Sequence, residues 1–124
     1  MKITVTSVDT LLEELYGQTP FSAEILRQIP GPDRPDYFLA ALDTPLKWQR
    51  GSDAVSVTHL IVGARLVGGE LAPGETDLNI NIAYVVDPSV LKDTQLIFEK
   101  CYPCAIGMAD VEGVKKAKKR SRKR

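Results

Sequence analysis

The sequence predicts an α+β domain: two short N-terminal helices packed on a four- to five-stranded antiparallel meander, followed by a disordered basic C-terminal tail. Three observations carry this. Two runs rich in β-branched residues, 55–67 and 77–86, flank a segment, 68–76, whose Gly68-Gly69 and Ala72-Pro73-Gly74 supply turn chemistry. Apolar residues recur at helical spacing twice before residue 30. The chain has 124 residues, 44% of them hydrophobic and 26% charged, which suits one domain with its own core.

Taken in order, residues 2–6 alternate as a short strand. Ser7 or Asp9 then caps a helix bearing Val8, Leu11, Leu12 and Leu15, which Gly17 stops. Thr19-Pro20 or Ser22 starts a second helix with Phe21, Ile25, Leu26 and Ile29 as its stripe. Residues 30–35, with three prolines, form a rigid connection. The apolar run 37–42 suits a helix by Pro35 at N1 and by Ala40-Ala41-Leu42, but its six residues favour an interrupted strand. It is broken at Asp43-Thr44-Pro45, resumes at 46–49, and turns at 50–53 into the central strand. There Val55, Val57, His59, Ile61, Gly63, Arg65 and Val67 share one face, and a bulge is expected near Gly63. In the partner strand Leu78, Ile80, Ile82, Tyr84 and Val86 oppose a face of Asn79, Asn81, Ala83 and Val85. Asp87 and Pro88 predict one helical turn as N-cap and N1. A last strand is expected over 96–101, resuming at 105–108. The domain spans 1–113 and the tail 114–124.

The net charge of zero hides a segregation. Of 16 Lys and Arg, eight (Lys115, Lys116, Lys118, Lys119, Arg120, Arg122, Lys123 and Arg124) fall in the last ten residues, which hold no acid. The remainder has 16 − 8 = 8 bases against 16 acids, so the body carries −8 and the tail +8. Such a tail can neutralise phosphates with little sequence preference, making nucleic acid or another polyanion the expected partner. It holds no aromatic residue for base stacking. A solubilising tail, or one folded back on the acidic body, is the bland alternative.

Other chemistry is sparse. Cys101 and Cys104 form a C-x-x-C pair, but one pair supplies two of the four ligands a structural zinc wants, and the only histidine is His59. No helical pattern follows the pair to depress a thiol pKa. His59 and Arg65 are the candidate ligand-binding residues, with Asn79 and Asn81 as neighbours. No acid or nucleophile can be assigned to His59 as a catalytic partner. No catalytic residue, metal site or cofactor is expected. No apolar run nears the ~20 residues that span a bilayer, and acids follow the N-terminal strand at once; a cytoplasmic protein is expected. Function is read as a non-enzymatic interaction module whose tail contacts a polyanion. The alternative is a protein-binding or oligomerising module using the acidic sheet and an uncovered strand edge. A small-molecule binder or enzyme around His59 and Arg65 comes third.

Overall fold

A computed structural model describes residues 1–8, 18–50, 53–65, 71–101 and 105–112, with the backbone alone for 48–50, 53–55 and 105. Six strands follow one another: β1 (Lys2–Val8), β2 (Phe21–Gln28), β3 (Tyr37–Arg50), β4 (Asp53–Ala64), β5 (Leu78–Tyr84) and β6 (Ala105–Val111). Each pairs antiparallel with the next. β6 then returns to β1, Ile3 opposite Val111 and Val5 opposite Ala109, so the meander closes into a barrel.

This corrects the expected α+β class. The second helix is strand β2. Phe21 and Ala23 are buried while Ser22 and Glu24 face outward, a period of two. A register shift between Ile25 and Arg27 then sets Leu26 aside, half exposed, and Ile29 returns to a buried position. That irregularity converts a strand into the i, i+4, i+8 spacing of an amphipathic helix, and tertiary pairing overrides the helix propensity of 23–28. Of the first predicted helix, Val8 ends β1 and residues 9–17 lie outside the described residues. The described helical segments are short 3-10 turns, Pro88–Lys92 and Phe98–Lys100. Asp87 caps the former as expected, its carboxylate accepting from the Ser89 N–H, which lowers its pKa. The strand expected over 96–101 is not formed; β6 begins at Ala105.

Side chains fill the barrel. Ile3, Val5, Phe21, Ala23, Ala40, Leu60, Val62, Ile80, Ile82, Tyr84, Ala109 and Val111 form one buried cluster, as the taper of a small barrel requires. A second core lies outside the wall. Residues 85–101 cross the outer face as a strap, and Val90 and Leu96 pack there on Ile29, Tyr37, Leu39, Ile61 and Ala83. The strap is fastened by Arg27, whose guanidinium donates to the carbonyls of Leu91 and Asp93, and by the Leu96 N–H to Pro30 carbonyl bond at 2.7 Å.

The interrupted strand at 37–49 is formed as β3. Its break is a register shift between Ala41 and Leu46, where residues 42–45 of β3 face only Thr58 of β4. The bulge expected near Gly63 is therefore displaced to this point. It also breaks the predicted face of β4: Val57 points inward with Leu60 and Val62, while His59 and Ile61 point out. Beyond it β3 and β4 continue as a two-stranded arm, from Leu46 opposite Val57 to Arg50 opposite Asp53. Gly63 serves a close approach instead, since a Cβ there would meet the Asp36 carbonyl at 3.2 Å.

Candidate functional site

The tail starts from a well-anchored strand end. The Val111 N–H donates to the Glu75 carbonyl, and its carbonyl accepts from Gly74; the Glu112 N–H donates to the Lys2 carbonyl at 2.8 Å. The eight tail cations themselves lie outside the described residues.

His59 sits half-buried at the bulge of β4. Its Nδ1 lies 2.9 Å from the Thr58 hydroxyl, and burial lowers its pKa. It lines a cleft of about 180 Å³ with Ser56, Thr58, Val85, Val86, Pro88 and Leu91. Those neighbours offer hydroxyls and apolar surface, so the cleft can hold an apolar group beside hydrogen-bonding partners. Arg65 lies past the other end of β4, six residues on, or roughly 20 Å at the rise of a strand. Its N–H donates to the Asn79 carbonyl, and its carbonyl meets the Asn81 amide at 3.5 Å. The structure thus gathers Arg65 with Asn79 and Asn81 but does not bring His59 to them.

Cys101 is half-buried and bridges backbone to Val85; Cys104 lies outside the described residues. Among the described residues no three His, Cys, Asp or Glu side chains gather where they could hold a metal ion. Among them, too, no helix is long and apolar enough to cross a membrane.

Two features escape a reading of the sequence. Arg34, in the proline-rich connection, is 6% exposed, forked onto Asp36 at 2.5 and 2.8 Å, and donates to the Ala64 carbonyl at 2.9 Å. Its charge sits 5.1 Å from the Tyr37 ring centre. The Asp33-Arg34-Pro35-Asp36 order was the available signal, a cation between two acids. The other is Gln18, whose side-chain amide takes both backbone groups of Lys47, the N–H at 2.7 Å and the carbonyl at 2.6 Å. It stands where another strand would stand beside the arm. A cleft of about 480 Å³ opens next to it, lined by Pro20, Phe21, Ser22 and residues 43–46. Among its described lining residues the acid is Asp43, bound by Lys2 at 2.8 Å, which raises the Lys2 pKa.

No protein-family model, curated protein or solved structure matches this chain.

Proposed function

We propose that this chain is a binding module in which a side-chain-filled β-barrel carries a basic tail, residues 115–124, onto a polyanion such as nucleic acid. The observation that supports it is the charge segregation: eight cations and no acid in ten residues, against a body of −8. The tail contacts phosphates, so it supplies affinity and leaves sequence discrimination to other surfaces. If about five of the eight cations engage phosphates of a duplex, the logarithm of affinity falls with that of salt at a slope of about −4.5. Binding then weakens about 500-fold between roughly 50 and 200 mM salt. Fluorescence anisotropy of labelled duplex and single strands, with the full chain and with residues 1–114, tests this. Tail-dependent binding with that slope supports the reading; equal binding by the two chains, or none by either, defeats it.

A second reading, an assembly module acting through the sheet, is favoured by one observation: β3 and β4 outrun the closed barrel as an arm.

A further inference from the structure

We infer that the outer edge of β4 in the arm, residues 54–58, pairs antiparallel with the same edge of a second copy of this chain. This rests on the assembly reading and is independent of the tail.

The direction of the backbone follows from Gln18. Both polar groups of Lys47 are turned to the Gln18 amide, so they point away from β4. Antiparallel ladders alternate between pairs that bond each other and pairs whose groups both face outward. Ser56, opposite Lys47, is therefore of the second kind, and its N–H and carbonyl point outward on the far edge of the arm. The two edges are treated differently. On the β3 side Gln18 occupies the ladder and Pro45 stands at its start. On the β4 side pairing with β5 runs to Leu60 opposite Tyr84, and a last bond joins the Val85 N–H to the His59 carbonyl. Beyond that, no described residue pairs with the edge.

Open edges are normally blunted by lysine, proline or a covering element. Residues 54–64 of β4 contain no Lys, Arg, Asp, Glu or Pro. Alongside the edge, Val86 and Leu91 are 37% and 38% exposed and line the His59 cleft, so an added strand would also cover apolar surface. A second copy fits as that strand for two reasons. Uncharged residues 54–58 oppose themselves without repulsion. The full chain is formally neutral, a body of −8 balanced by a tail of +8, so whole copies do not repel through net charge. A two-fold pairing of this kind is self-complementary and closes at the dimer.

Sedimentation equilibrium of the full chain over a range of protein concentration, with amide hydrogen exchange at Ser56, tests the pairing. The wild type is expected to self-associate, with exchange at Ser56 slowing as concentration rises. Ser56→Pro removes the outward N–H, and the double variant Ser56→Lys/Thr58→Lys places like charges across the two-fold. Each is expected to weaken association about tenfold or more. A chain that is monomeric at every concentration overturns this inference and the assembly reading together. Association unmoved by both variants, or Ser56 exchange indifferent to concentration, overturns the edge pairing alone and places the interface elsewhere.

Discussion

Replacing Arg34 tests whether the proline-rich connection is held by charge or only by packing. In Arg34→Met the fork onto Asp36 and the bond to the Ala64 carbonyl are lost, while the stem volume is largely kept. Removing one partner of a buried pair costs about 3–5 kcal/mol, because the other charge stays desolvated. The Asp36 side chain is 16% exposed, so some water reaches it and the lower end applies, about 3 kcal/mol. Asp36→Asn keeps an acceptor and a neutral hydrogen bond and should cost about 1.5 kcal/mol. The double variant removes both charges and should stay near 3 kcal/mol, giving a coupling of about 1.5 kcal/mol. Urea unfolding followed by far-ultraviolet circular dichroism measures all four chains. An Arg34→Met chain within about 0.5 kcal/mol of wild type, or strictly additive single variants, would refute the charge argument. In that event Tyr37, edge-on to Phe98 and bonded to Asp33 through its hydroxyl, would hold the connection together with the bonds from Gln28 to the Pro35 carbonyl and from the Gly31 N–H to the Arg34 carbonyl.

Two further outcomes follow from the same packing. Gly107→Ala on β6 should destabilise by about 2 kcal/mol in the same assay, since its Cβ would meet Ile82 Cδ1 at 2.7 Å and the Ser7 carbonyl at 2.8 Å, and the backbone contact cannot rotate away. His59 predicts a pH effect. Burial favours its neutral form in the folded chain, so the unfolded chain binds the proton more readily, and stability is full above the ordinary value of 6.5 and falls as pH drops below it. The other residues lining its cleft do not titrate. Urea midpoints should therefore decline from about pH 7 to about pH 5.5 more in wild type than in His59→Gln, and parallel declines would remove His59 as the cause.

The parts of the fold legible in sequence were those with strict alternation or turn chemistry. Ile80, Ile82 and Tyr84 point into the barrel, with Ala83 and Val85 on the outer core, as a period of two demands. Arg50 and Asp53 pair as a two-residue hairpin requires. What failed were segments where an irregularity broke the period. Leu26 in β2 shifted the pattern toward a helical one, and residues 42–45 opposite Thr58 reversed the face of Val57 without any glycine to mark the place. Closure was equally hidden. Ile3 facing Val111 joins residues 108 apart, and local spacing carries no information about such a pairing. At the candidate site, His59 and Arg65 share a parity, but a count of faces does not register the six residues of regular strand that hold them roughly 20 Å apart. Gln18 became significant only once Lys47 was placed beside it.

Closure also bears on where binding can occur. An open meander presents two full edges, and an uncovered edge was the expected route to assembly; pairing of β6 with β1 removes both. The interior is occupied by side chains and one outer wall is covered by residues 85–101, so those surfaces are spent on stability. What the fold leaves over comes from unequal lengths: β3 and β4 have 14 and 12 residues against seven or eight in the other strands. That surplus places the arm at the β3–β4 turn. In an antiparallel meander this turn and the C-terminal end of β6 fall at opposite ends of the barrel. Pairing through the arm, as proposed, therefore lies at the end of the barrel away from the end of β6. If residues 115–124 bind a polyanion as proposed, a dimer joined through its β3–β4 arms carries two such segments, and the second binds as an intramolecular step when its span allows.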